Sequence, residues 1–137
     1  MITQIGHTAY RVRDIDASLD FYTRLGLKEA FRLFRDDGTL WIVYLQLNAS
    51  QFIELFPGAT DRVELSPQTI GYAHLCLCVD DIETTTAAIV AAGIPLDRPV
   101  RRGGDGNFQA WVVDPDGNRI ELMQIMPDSL QAKSTGF

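Results

Sequence analysis

Apolar and polar positions alternate from about Gln4 to Val12, with His7, Ala9 and Arg11 on one face and Gly6, Thr8, Tyr10 and Val12 on the other. This period of two predicts a half-buried strand. The period then lengthens: Ile15, Leu19 and Tyr22 recur at helical spacing, with Phe21 and Leu25 widening the stripe, so a helix is expected from about Ile15 to Leu25. Asp14 stands at the N-cap, Asp16 adds negative charge to the first turn, and Gly26 supplies a left-handed stop. Three further runs predict strands over Glu29–Arg35, over Thr39–Leu47 after the turn Asp36-Asp37-Gly38, and over Gln51–Phe56 after Asn48-Ala49-Ser50. The pattern is βαβββ.

The pattern then repeats. Ile70-Gly71-Tyr72-Ala73-His74 echoes the approach to His7, at an offset of 67 residues (74 − 7). The same offset carries Val12 to Val79, Asp14 to Asp81, Ile15 to Ile82, Gly26 to Gly93 and Glu54 to Glu121. A strand is expected over Tyr72–Val79, then a helix capped by Asp81, bearing Ile82, Thr86 and Ile89 and stopped by Gly93. Pro95 and Pro99 flank a short edge strand, Arg101–Asn107 reads as a flexible basic loop, and Phe108–Val113 and Arg119–Ile125 form a hairpin around Asp114-Pro115-Asp116-Gly117, a type I turn. The expected organisation is one domain over residues 1–137. Its parts are a first module at 4–57, a linker at 58–69, a second module at 70–126, and a flexible tail at 127–137 that is disordered after about Ser129.

Composition narrows the partners. The chain has 137 residues, 46% apolar and 22% charged, as expected of an ordinary globular protein. A net charge of −6 argues against a nucleic-acid surface, which needs clustered Lys and Arg. There is no apolar run of membrane-spanning length and no basic and apolar leader after Met1, so no membrane partner and a cytoplasmic location are expected. Cys76 and Cys78 lie two apart on one strand, about 6.6 Å from each other and not converging, which favours two reduced thiols over a disulfide. A zinc site from His74, Cys76 and Cys78 is disfavoured too, because three ligands in a straight row cannot surround an ion and the first copy has Ala9 and Arg11 at the cysteine positions.

Chemistry enters with the four residues that the offset pairs. His7 and His74, Glu54 and Glu121 are the two histidines and two glutamates in equivalent places. Each glutamate is flanked by Ile and Leu that point to the opposite face, and a carboxylate in so apolar a setting needs a partner, for which a cation is well suited. Two imidazoles and two carboxylates suit Zn, Ni, Co, Mn or Fe(II). On a six-coordinate ion they would leave two positions for neighbouring substrate oxygens, as stabilising an enediolate requires, with a metal-bound glutamate able to loosen and act as base.

Taken together, residues 4 to 125 resemble the vicinal-oxygen-chelate superfamily, on the four ligand positions, the strand-to-helix steps at Asp14-Ile15 and Asp81-Ile82, and the run from Val113 to Leu122. The resemblance implies an α+β fold, two tandem βαβββ modules forming an open, curved mixed sheet around a metal-binding cleft. Within the superfamily the set His7, Glu54, His74 and Glu121 is most similar to glyoxalase I. That implies one divalent ion, Zn or Ni ahead of Fe, Mn or Co, a thiol cosubstrate such as glutathione, a small 2-oxoaldehyde adduct as substrate, and a homodimer. Glu121 is the first choice for the base and Glu54 the second. Arg11, four residues after His7, matches an arginine that binds the thiol's carboxylate in glyoxalase I; Arg101 and Arg102 offer another carboxylate clamp. Gly58 stands where glyoxalase I tends to have an asparagine that contacts glutathione. An epimerase, an extradiol dioxygenase, a fosfomycin-type thiol transferase and a non-catalytic binding protein of the bleomycin type are the alternatives, none of which uses all four residues as ligands.

Overall fold

In the computed structural model, which describes residues 1–62 and 66–134, each module forms its own four-stranded mixed sheet with a helix between its first two strands. The chain divides into two compact units, Met1–Glu64 and Leu65–Phe137. The fold is α+β, as the resemblance implied, and each unit follows the βαβββ order read from the pattern. Among the described residues no helix is long and apolar enough to cross a membrane.

The first unit runs β1 (His7–Arg11), α1 (Ile15–Arg24), β2 (Lys28–Phe34), β3 (Leu40–Gln46) and β4 (Phe52–Phe56), with strand order β1-β4-β3-β2. β1 lies parallel to β4 and the other pairs are antiparallel. Asp14 caps α1 by accepting from the amides of Asp16 and Ala17 at 3.0 and 3.2 Å. At the other end Leu27 N–H reaches back to Tyr22 O at 3.0 Å across Gly26, whose φ of +109° only glycine adopts readily. Tyr10, Val12, Phe21, Tyr22, Val43, Leu45, Ile53 and Leu55 are buried, and the Tyr10 and Tyr22 rings stack at 6.5 Å. The helix therefore covers the sheet face opposite His7.

The second unit repeats this with β5 (Leu75–Cys78), α2 (Ile82–Ala91), β6 (Arg98–Arg102), β7 (Phe108–Val113) and β8 (Arg119–Gln124), ordered β5-β8-β7-β6, and ends in α3 (Leu130–Lys133). Asp81 caps α2 through Thr84 N–H at 2.7 Å, and Gln124 Oε1 accepts from Ile82 N–H at 3.0 Å, tying the helix start to β8. Ile82, Thr86 and Ile89 are buried, as their helical spacing predicts. The turn after β7 closes with Gly117 N–H on Asp114 O at 2.9 Å, while the buried Asp114 carboxylate accepts from Asp116, Asn118 and the Asn118 carboxamide.

Three expectations are corrected. β1 and β5 are shorter than the alternation suggested: parallel pairing starts only at His7 opposite Phe52 and at Leu75 opposite Ile120, so His74 stands just before its strand. Arg101 and Arg102 belong to β6, and the loop proper is only Gly103 to Asn107, cross-braced by Gly103 N–H to Asn107 O at 2.7 Å. The tail after Ser129 forms α3. Its anchor is Asn107, fully buried, whose carboxamide donates to Asp105 and Gln131 and accepts from Met126 N–H. Leu130 N–H adds a bond to Asp105 O, and Ser129, also fully buried, caps α3 through Ala132 N–H. Linker residues 63–65 and tail residues 135–137 lie outside the described residues.

Candidate metal centre

Register places the first histidine and glutamate together. Ala9 on β1 is the partner of Glu54 on β4, so His7, two residues earlier, shares the face of Glu54, and Tyr44 on β3 is directly opposite Glu54. Ile53 and Leu55 point into the core, which leaves Glu54 on the face away from the helix, yet it is only 5% exposed. His7 Nδ1 lies 3.5 Å from Glu54 Oε1. The Tyr44 hydroxyl donates to the same carboxylate, and that bond, with burial second, holds its pKa above the ordinary phenol value. Tyr44 stacks on Phe31 at 4.2 Å and meets the His7 and Phe52 rings edge-on at 6.5 and 6.2 Å.

The second unit builds the same arrangement from different neighbours. Cys76 is paired with Glu121, and Glu121 with Trp111, so the three share a face, with His74 at its strand end. His74 Nε2 lies 3.0 Å from Glu121 Oε2, and Glu121 is 8% exposed. Trp111 stands 67 residues after Tyr44, meets the His74 ring edge-on at 4.8 Å, and donates its indole N–H to Gln109 Oε1 at 3.2 Å. Sequence reading missed both aromatic posts, although extending the repeat offset to β3 and β7 would have paired them.

The other candidates are placed as follows. Arg11 shares the His7 face, exposed, with its guanidinium 5.6 Å over the Phe56 ring. Arg101 is opposite Gln109 on the face of Trp111 and donates to Gln109 Oε1 at 3.2 Å. Arg102 is opposite Phe108 on the other face, and its guanidinium is engaged by Gly106 O at 3.0 Å and Asp128 at 2.6 Å. Cys76 and Cys78 are both free. Burial first, and the negative charge of Glu121 second, push the Cys76 thiol up to about 12, so it is a protonated thiol and a poor metal ligand as it stands.

Each unit thus brings one imidazole and one nearly buried carboxylate into contact. Among the described residues no three or more His, Cys, Asp or Glu side chains are gathered as for a metal ion; the gathering stops at two per unit. Within each pair the donors fit a divalent cation. The carboxylate is held from solvent by apolar neighbours and needs a positive partner, while the histidine side chain is open, at 52% in His7 and 36% in His74.

The sequence matches the profile of the Glyoxalase/Bleomycin resistance protein/Dioxygenase superfamily over residues 4–122. It is 36% identical to a probable lactoylglutathione lyase of Vibrio parahaemolyticus, over 88% of this chain and 90% of the relative. It is 33% identical to the lactoylglutathione lyase of Haemophilus influenzae, over 88% and 92%. Among solved structures, a glyoxalase family protein from Enterococcus faecalis superimposes with a TM-score of 0.75 at 28% identity, covering 88% of this chain and 96% of that one.

Proposed function

Since the chain belongs to the Glyoxalase/Bleomycin resistance protein/Dioxygenase superfamily, we propose that it is a metal-dependent lyase or isomerase of the lactoylglutathione lyase type. Its substrate on this reading is the hemithioacetal of a 2-oxoaldehyde with a small thiol such as glutathione. The observation that carries the reading is the duplicated pair, His7 with Glu54 and His74 with Glu121, at matching register positions in both sheets. Relatives bearing the lactoylglutathione lyase name at 33 and 36% identity support it.

The four side chains are the proposed ligands of one divalent ion, Zn or Ni, whose Lewis acidity when bound would polarise a substrate carbonyl and acidify the neighbouring C–H. Glu121 is the proposed base. Each glutamate meets its own histidine; beyond that contact Glu54 is steadied by a phenol, whereas Glu121 has the Cys76 thiol, a weaker donor that leaves the carboxylate freer to take up a proton and return it to the adjacent carbon. Arg11 and Arg101, on the two faces that carry the pairs, are the proposed contacts for the thiol's carboxylates. Arg102 is a weaker candidate because Asp128 already holds it. We also propose a homodimer, in which paired modules complete the four-ligand set within one chain or by exchange.

Metal analysis of protein purified without added ions should give one divalent ion per chain, with His7→Ala and Glu121→Gln each losing most of it. Methylglyoxal plus glutathione should then yield thioester. Variants that bind as much metal as wild type would sink the ligand set; a metal-loaded protein that forms no thioester would sink the reaction. A monomer by light scattering would rule out the homodimer.

A further inference from the structure

The two histidines are flanked by equivalent aromatic posts that are themselves held by opposite chemistry. In the first unit Tyr44 is backed by Phe31 and Phe52. Advancing those positions by 67 residues gives Arg98 and Arg119. Two phenylalanines in one sheet thus become two arginines in the other.

Arg119 makes the contact. It alternates with Glu121 on β8, so both side chains lie on the Trp111 face, and its guanidinium sits 4.5 Å over the indole ring. Its Nη2 is buried with no hydrogen-bond partner among the described residues, 3.7 Å from Asp97 Oδ2. A buried guanidinium nitrogen that forgoes a hydrogen bond is held by something else, and here that is the ring below and the carboxylate beside it. On the ring's edge, Gln109 takes the indole N–H and is itself held by Arg101. The indole is therefore fixed on its face and at its polar edge, and the His74 ring rests against it at 4.8 Å.

We propose that Arg119 is a positioning residue: by pinning Trp111, it sets the orientation of the His74 imidazole toward Glu121. Among the described residues its ion pair is with Asp97 and its ring contact with Trp111, not with either member of the pair. A metal ligand whose ring is already oriented loses less rotational freedom on binding, and groups behind a ligand commonly change affinity by 10- to 100-fold. The inference rests on the proposed metal-binding role only for its consequence, since the geometry itself exists without an ion.

The test is proton NMR of the metal-free protein. Only two histidines are present, so their ring signals are assigned with His7→Gln. His74 should show a ring-current displacement from Trp111. Arg119→Met, which keeps the stem and removes the cation, should move that signal toward its unstacked position while leaving His7 unchanged, and Arg119→Lys should restore most of the displacement. Asp97→Asn, at an exposed position, should loosen the same contact partway and serves if Arg119→Met fails to fold. A His74 signal that stays put in a folded Arg119→Met or Asp97→Asn protein overturns the proposal. Zinc affinity by competition should fall about tenfold in Arg119→Met. If wild type binds no zinc, the metal reading fails while the NMR outcome still decides the role of Arg119.

Discussion

Cys76 and Cys78 occupy the same face of one strand, yet their chemistry diverges within two residues. Cys78 is exposed at the strand end, whereas Cys76 is half-buried beside Glu121, which together with burial raises its thiol to about 12. Nucleophilic attack needs the thiolate, so near neutral pH Cys76 stays in the unreactive thiol form. Iodoacetamide should therefore add one label to the metal-free wild type, at Cys78, and essentially none to Cys78→Ser by mass spectrometry. Rapid labelling of Cys78→Ser would show that the pocket around Cys76 is more open and less negative than described. A second residue-scale test concerns Tyr44, whose hydroxyl steadies Glu54. Tyr44→Phe keeps the stack on Phe31 and removes one donor to a buried carboxylate, a loss of about 1–3 kcal/mol. Denaturant unfolding of the metal-free protein should show it; an unchanged midpoint would mean that the hydroxyl contributes nothing to holding Glu54.

At the scale of elements, most of the fold was legible because local chemistry and burial agreed. Asp14 and Asp81 each start a helix by accepting backbone amides, and Gly26 and Gly93 each end one, with the next residue reaching back five positions to the helix. Asp14→Ala should cost about 1 kcal/mol in unfolding free energy, with Asp14→Ser recovering most of it. What the pattern hid depends on partners far away in the chain. The one local cue for a helix at residues 130–133 is the Ser129 cap, and the anchor that holds so short a helix lies in the loop before β7. Asn107 provides that anchor through bonds to Asp105, Met126 and Gln131. Asn107→Ala should release α3, seen as fast amide exchange at Ala132 and Lys133, while α1 in the other unit keeps its protection; slow exchange at Ala132 would mean α3 holds without the carboxamide. The candidate site divides the same way. Its histidines and glutamates stood out because repetition marks them, but Tyr44, Trp111 and Arg119 read as ordinary strand residues until the sheet register set them beside those pairs.

For the whole molecule, the groups whose affinities for protons shift on folding define a stability window. On the acid side, Asp128 is held below its ordinary value by hydrogen bonding to Arg102, Glu29 by Arg32, Asp37 by Thr39 and Asp81 by Thr84. A depressed folded-state pKa contributes stability that is present above the unfolded value, about 4, and is lost as pH falls through the folded one. All four groups are open to solvent, so this limb should be shallow, and salt should weaken the share that comes from Arg102 and Arg32. The alkaline limb has the opposite origin. The thiol of Cys76 is raised, so folding opposes its ionisation. The unfolded chain releases that proton from about pH 8.5 upward, and the native state is progressively disfavoured until the folded value near 12 is reached. Tyr44 shifts in the same direction through Glu54 and adds to the loss at higher pH. Thermal melting of the metal-free protein should therefore be flat through neutrality and fall above about pH 9. Cys76→Ala should hold its melting temperature further into alkali than wild type, whatever its stability at pH 7. Parallel alkaline limbs for the two proteins would mean that the thiol does not carry this pH dependence.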